Sequence, residues 1–367
     1  MTTRSLPSTV PASEGVASSE RAPTLKDVAA RAEVGVVTAS GVLNGSRSGT
    51  RVSEATRQRI LRAAAELRYH PNHAARSLRH RRTGAIGVLF NFVSWPPVVS
   101  NPYEFAALEG ILLAAGERGF QVLLFTADGR AGTSPMDAVR ERRVDGVAMI
   151  APLVESPIPA EIAGLGIPAV SLSCRPDGDI VPWVDIDNAA GVRAAVDHLV
   201  ALGHRRIAHV TGPVDQASIL ERRDAFLAHM AARGLPVPER FVCTGATSTV
   251  RDRSAALLRG EDRPTAVIAW NDGVAVDVMA GAVDAGLSVP EDVSVVGFDD
   301  DSRAAAARPP LTTLRHPVRD ICRAGTLLLV DRIEGRATPV PERWIPELVV
   351  RDSTAVPRSE STGKGVS

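Results

Sequence analysis

From Ala85 onward the chain alternates short apolar runs with longer stretches of helical periodicity, and this alternation constrains the fold more than any other feature. The runs are IGVLF (86–90), QVLLF (121–125), GVAMI (146–150), AVSL (169–172), RIAHVTG (206–212), TAVIAW (265–270) and VSVVGFD (293–299). Helical stretches fall near 104–118, between Phe125 and Gly146, and over 188–202, 217–233 and 273–285. Runs this short read as strands, and strands separated by whole helices pair in parallel, because a parallel partner requires a crossover. The expected fold class is α/β, with two consecutive parallel-sheet lobes and a ligand cleft between them. No Gly-x-Gly-x-x-Gly or P-loop follows a strand, so nucleotide binding has no support. A Gly-x-Ser-x-Gly elbow is also missing, and no enzyme activity, cofactor or metal is expected.

Composition agrees with a globular chain: 44% of residues are hydrophobic and 23% charged. No apolar stretch reaches the ~18 residues of a membrane span. Residues 1–23, rich in Ser, Thr, Pro and Ala, lack the apolar core of an export signal. They read as a disordered leader, which points to the cytoplasm. Cys174, Cys243 and Cys322 lie far apart and read as buried reduced thiols. His198, His204 and His209 read as structural, not as a metal cluster.

The formal net charge of zero hides an asymmetry. Between Thr24 and Arg82 twelve Lys and Arg face four Asp and Glu, a net +8 balanced by −8 elsewhere. A basic segment on a neutral protein is the footprint of a polyanion partner. Within it, Thr24 and Asp27 have capping-box spacing, with Leu25, Val28, Ala29 and Ala32 on one helical face. Glu33-Val34-Gly35 makes a turn, Val36 to Leu43 a second helix, and Ser53 caps a third whose apolar face carries Ile60, Leu61, Ala64 and Leu67. That helix closes before Pro71. Three short helices, two of them joined by a tight turn, are the helix-turn-helix plan, whose second helix enters the major groove.

The runs TLKDVAARAEVGVVTASGVLNG and RVSEATRQRILRAAAELRYHPNHAARSL resemble the head of the LacI/GalR family of bacterial regulators. HLVALGHRRIAHVTGP (198–213), AWND (269–272), VSVVGFDD (293–300) and PPLTTLRHP (309–317) extend the resemblance to roughly Thr24–Asp352. It implies that Val36, Val37 and Gly41 read operator bases. Thr24, Thr38, Ser40 and Asn44 would hold phosphates or pack the motif, with Arg47 and Arg51 as further backbone contacts. It also implies a hinge in which Asn72, Ala75, Arg76 and Arg79 line the minor groove while Leu78 wedges into it.

For the large domain the resemblance implies a periplasmic-binding-protein-like fold holding a sugar or nucleobase-type effector. Arg222, Asn271 and Asp299 would bind it, with Tyr103, Phe105, Ser173, Trp183, Trp270 and His316 as further pocket candidates. Arg222 lies in ERRDAF, the family's Arg-x-x-Gly-Phe with Ala225 for Gly, and Asp272 reads as structural. The implied map is a leader (1–23), a helix-turn-helix domain (24–71), a hinge helix or linker (72–83), an effector-binding and dimerisation domain (84–352) and a disordered tail (353–367). Lobe 1 would span about 84–186 and 313–345 and lobe 2 about 187–312 and 346–352, with crossings near 186, 313 and 345. The short polar tail lacks leucine heptads, so the expected assembly is a homodimer on a pseudo-palindromic operator, acting as a repressor.

Several positions depart from the family pattern. Gly35 stands where a capping Ser is usual and Gly41 where Arg is common, which removes the commonest guanine contact. Valines can touch thymine methyls only, so an unusual base preference is expected. Ser46–Arg51 and the Pro-rich FVSWPPVVSN (92–101) are longer than usual, Ser173 replaces an Asp, and His316 replaces a Gln. Two rival readings fail on missing features: a transport receptor needs an export signal, and an enzyme needs a nucleophile–base set or cofactor loop.

Overall fold

The structure, a computed structural model, describes residues 21–43, 52–70, 82–90, 101–125, 135–212, 216–244 and 249–358. Asn44, Arg47, Arg51, Asn72, Ala75, Arg76, Leu78 and Arg79 therefore lie outside the described residues, as do the leader to residue 20, most of the 92–101 segment and the tail from 359. The chain forms two compact units, Met1–Arg82 and Thr83–Ser367.

The first unit contains α1 (Leu25–Arg31), α2 (Val36–Leu43) and α3 (Glu54–Glu66). Thr24 and Asp27 form the capping box: the Asp27 amide donates to Thr24 Oγ1 at 3.4 Å, and the Thr24 amide donates to Asp27 Oδ2 at 2.7 Å. Glu33 takes a left-handed conformation (φ 52°) just past α1, and its amide and that of Val34 donate back to Ala30 and Ala29. These bonds close a Schellman turn and aim α2 away from α1. Ser53 caps α3 by accepting from the Thr56 amide at 3.2 Å. Val28, Ala29, Ala39, Val42, Ile60, Ala63 and Ala64 make the core. Leu61 departs from expectation: it is 42% exposed, because the 3.6-residue period sets Ile60, Ala63 and Ala64 inward and turns it to the surface.

The second unit holds two sheets. The first comprises β1 (Ala85–Phe90), β2 (Gln121–Leu124), β3 (Gly146–Ile150), β4 (Ala169–Leu172) and β5 (Trp183–Val184), in the order β2-β1-β3-β4-β5, all parallel. The second comprises β6 (Ile207–Val210), β7 (Val242–Cys243), β8 (Ala266–Ala269), β9 (Ser294–Asp299), β10 (Thr312–Arg315) and β11 (Glu347–Val349). Its order is β7-β6-β8-β9-β10-β11, the same winding with one antiparallel edge strand, β11. The helices are α4 (Pro102–Glu117), α5 (Pro135–Arg140), α6 (Ile158–Gly164), α7 (Asn188–Ala201), α8 (Ala217–Ala232), α9 (Val250–Leu258), α10 (Asp272–Asp284), α11 (Ser302–Ala306) and α12 (Val318–Ile333).

Helix α12 returns from the second sheet to pack on α4 and on β3, β4 and β5. Gly110 permits this close approach: a Cβ there would sit 2.1 Å from the Arg319 carbonyl oxygen. Fully buried Ile111, Ile321, Leu328 and Leu329 fill the surrounding core, each contributing about 1.5–3 kcal/mol. The chain passes between sheets after β5, after β10 and before β11. Ile186 and Trp344 bridge in parallel, and the Asp187 amide donates to Trp344 O at 2.8 Å, so the first and third crossings run side by side. The second crossing follows Arg315 and does not fall at 313, because β10 completes its pairing with β9 through Arg315.

The tail differs more. Ser353 is fully buried, donates to Val295 O at 2.6 Å and accepts from the Thr312 amide at 2.8 Å. Ala355 donates to Ser294 Oγ at 3.0 Å, and its carbonyl faces His204 Nε2 at 2.9 Å. Residues 353–358 are thus packed onto the second lobe, because they satisfy polar groups that its sheet leaves buried. His204 also meets Thr265 Oγ1 and Ser294 Oγ, which confirms its structural role. Cys174 and Cys322 are buried, whereas Cys243 on the β7 edge is only partly so.

Candidate functional site

The cleft is assembled from strand ends and helix starts, where parallel strands leave their carboxyl-terminal edges open. Phe90 ends β1, Ile150 and Ala151 end β3, Ser173 follows β4, Trp270 and Asn271 follow β8, and Asp299 ends β9. Asn101, Tyr103 and Glu104 come from the start of α4, Gln216, Ser218 and Arg222 from α8, and His316 from the second crossing. Three of these residues are backbone outliers: Ala151, Ser173 and Asp299 have φ of 44°, 55° and 113°. Strain of this kind concentrates where a site must be held in one shape.

Arg222 is buried and fixed on several sides. Its Nε donates to Asn188 Oδ1 at 2.8 Å, Nη1 donates to Trp270 O, and the guanidinium lies 3.5 Å over the Phe298 ring. Burial lowers its pKa, and the Asp299 and Asp185 carboxylates oppose that shift. Asn188 Nδ2 in turn donates to Glu221 at 3.0 Å. Burial pushes Asp185 up to about 6, and burial raises Tyr103 well above the usual phenol value. His316 Nδ1 sits 3.4 Å from Asp299 Oδ1, and its ring packs against Tyr103 at 5.7 Å and edge-on to Phe298 at 6.3 Å.

Among the described residues four buried side-chain polar atoms lack a hydrogen-bond partner: Ser173 Oγ, Trp270 Nε1, His316 Nε2 and His209 Nε2. The first three belong to residues that line this one cavity. Ser173 Oγ lies near the Tyr103 hydroxyl and the Cys322 thiol, but with neither does it reach hydrogen-bond geometry. Each such orphan costs about 1–3 kcal/mol, which a polar ligand can recover.

Seven of the nine expected pocket residues, Arg222, Asn271, Asp299, Tyr103, Ser173, Trp270 and His316, line the cleft. Two do not. Phe105 is 62% exposed and lines, with Asn101, Tyr103, Asp299 and His316, a wider pocket beside the cleft. Trp183 stands between Arg343 and Arg175, 4.5 Å and 5.5 Å from its ring centre, with its Nε1 donating to Asp179 at 2.8 Å. The sequence reading missed Phe90, Asn101, Glu104, Ile150, Ala151, Gln216 and Ser218. The rule that ligands sit beyond strand carboxyl ends would have found most of them. Asp272 is structural: it is fully buried and accepts from Thr313 Oγ1 and, at 2.8 Å, from the Asp301 amide.

In the first unit Val37 is 86% exposed and Val36 41% on the outer side of α2, with Thr38, Ser40 and Gly41 partly exposed. A Cβ at Gly41 would meet nothing within 4 Å, so packing does not require glycine there. Arg57, Arg59, Arg62 and Arg68 are exposed on and just after α3. Among the described residues no helix is long and apolar enough to cross a membrane, and no trio of His, Cys, Asp or Glu could hold a metal ion.

A family model of bacterial regulatory proteins of the lacI family matches residues 24–72, and one of the periplasmic binding protein-like domain matches residues 196–354. The HTH-type transcriptional regulator CelR of Thermobifida fusca is 37% identical over 344 residues, covering 91% of this chain and 98% of the relative. The ribose operon repressor of Escherichia coli is 31% identical, covering 84% of this chain and 93% of its own. A lac repressor dimer bound to operator and the anti-inducer ONPF superposes with a TM-score of 0.78 at 27% identity, covering 91% of this chain and all of that one. A CelR–cellobiose complex gives a TM-score of 0.64 at 35% identity over 90% of this chain and 99% of its own. A helix-turn-helix head and a two-lobed cleft, matched together along nearly the whole chain, establish that it belongs to the LacI family of bacterial transcriptional regulators.

Proposed function

We propose that this chain is a ligand-controlled transcriptional repressor of the cytoplasm. As a homodimer it places two heads on a pseudo-palindromic operator, and a small sugar-like molecule in the cleft changes its hold on DNA. The observation that carries the reading is one cavity lined by Arg222, Asn271 and Asp299 together with Ser173, Trp270 and His316, three residues that each keep a buried polar atom without a protein partner. An arginine, an amide and a carboxylate suit vicinal hydroxyls through charge-assisted hydrogen bonds, and the Trp270 indole offers an apolar face. On DNA, Val36, Val37 and Gly41 face the bases while Thr24, Thr38, Ser40, Asn44, Arg47 and Arg51 hold the backbone. Asn72, Ala75, Arg76 and Arg79 then follow the minor groove around Leu78. Two sugar-linked relatives, the CelR–cellobiose complex and a ribose operon repressor, support the ligand class.

The test is selection of operator sites from random DNA at one fixed salt concentration, repeated with a panel of sugars. Salt must be held constant because phosphate contacts make affinity steeply salt-dependent. A pseudo-palindromic site whose occupancy one sugar changes is the expected result. A non-palindromic consensus, or occupancy indifferent to every sugar, would count against the reading.

A further inference from the structure

Glu104 lies in the first turn of α4 and lines the cleft. A carboxylate there ordinarily serves the helix N-terminus, by its charge or by bonding back to the cap. Here Asn101 does the capping, its Oδ1 accepting from the Tyr103 amide at 3.1 Å. Among the described residues Glu104 makes no hydrogen bond and no ion pair. Partial burial raises its pKa, and it remains partly exposed.

The charge balance of the cavity gives this carboxylate its consequence. Arg222 is the arginine that lines the cleft, and its charge is already opposed by Asp299 and Asp185. Two of its donors are spent on Asn188 and on the Trp270 carbonyl. Glu104 is therefore negative charge in excess, facing a cavity to which the described lining residues supply no second formal cation. An anionic ligand would meet it with like charge at low dielectric, whereas a hydroxyl or ammonium donor would give it the partner it lacks.

We propose that Glu104 sets the charge selectivity of the cleft, admitting donor-rich ligands without an anionic group and rejecting sugar acids and sugar phosphates. The proposal rests on the reading of the cleft as the effector site. Calorimetry on the full chain with glucose, cellobiose, ribose, glucosamine, glucuronate and glucose 6-phosphate tests it. At least one uncharged or amino sugar binds, and the anionic probes bind at least about tenfold more weakly, the scale of one charged hydrogen bond. Glu104→Gln keeps the shape and the melting temperature but narrows that discrimination by about tenfold.

Failure to bind any uncharged or amino sugar, or an anionic probe binding as tightly as its neutral counterpart, overturns the proposal. So does unchanged discrimination in Glu104→Gln. Arg222→Ala separates the two levels. If it abolishes binding while Glu104→Gln leaves discrimination intact, the selectivity proposal fails and the effector site stands. If the sugar still binds Arg222→Ala unchanged, the cleft is not the effector site.

Discussion

Gly41 lies within α2 although glycine costs a helix interior roughly 0.5–1 kcal/mol relative to alanine. No packing contact explains it, since its missing Cβ would meet no atom within 4 Å. Its neighbours Val36 and Val37 present only methyl groups. An arginine at 41 therefore adds a guanine-reading fork without disturbing the core. Gly41→Arg is expected to move the selected half-site toward guanine at one position and to strengthen that site by about 1–3 kcal/mol. Selection with both proteins at equal salt checks this, and an unchanged consensus would remove Gly41 from the reading surface. Asp272 gives a second prediction. Burial lifts its pKa from the ordinary 3.8 to about 8, so between those values the folded state holds the extra proton. Stability contributed by that proton is lost as pH rises through the window and is gone above about 8. Asp272→Asn cannot ionise. From pH 6 to 8 the wild-type urea midpoint is expected to fall relative to that of the variant, and parallel midpoints would refute the shift.

Among the elements, the C-terminal segment makes the clearest claim. Ser353 and Ala355 satisfy Val295, Thr312, Ser294 and His204, so cutting the chain after Asp352 strands buried polar groups at about 1–3 kcal/mol each. Cutting after Arg358 removes none of these bonds. The chain ending at Asp352 is expected to melt at lower temperature than the chain ending at Arg358, and equal melting would return residues 353–358 to the status of a loose tail. That segment illustrates what was legible in the sequence. Its polar composition reads as disorder, because the partners that order it lie about sixty and a hundred and fifty residues away. Seven of the eleven strands and most helices were legible since period and length are local properties, as the match of α2 to Val36–Leu43 illustrates, whereas β5, β7, β10 and β11, each two to four residues long, were not read. Helix α12 was not recognised, and its return to the first sheet is a long-range fact. For the site, residues at motif positions were legible, whereas Phe105 lines the wider pocket beside the cleft and Trp183 was claimed by Arg343, Arg175 and Asp179. Glu104 carried no motif, and only the assembled cleft reveals it.

At the scale of the whole molecule, DNA reading and ligand binding belong to separate compact units that divide at Arg82 and Thr83. We propose that control of one by the other passes through the segment 72–83, which contains Leu78. Coupling of this kind is a free energy shared by both sites, so it is reciprocal. If a sugar weakens operator binding by some factor, operator DNA must weaken sugar binding by the same factor. We expect the two factors, measured by gel shift and by calorimetry at one salt concentration, to agree. On this proposal Leu78→Ala removes the apolar wedge and leaves the residues of the cleft unchanged. It should lower operator affinity and DNA bending, and shrink both coupling factors together, while sugar affinity of the DNA-free protein stays unchanged. A circular-permutation gel shift reads the bend directly. Unaltered bending with full coupling in Leu78→Ala would show that the signal takes a route other than a minor-groove wedge. A variant that loses sugar affinity in the absence of DNA would show instead that the segment is part of the sensing unit.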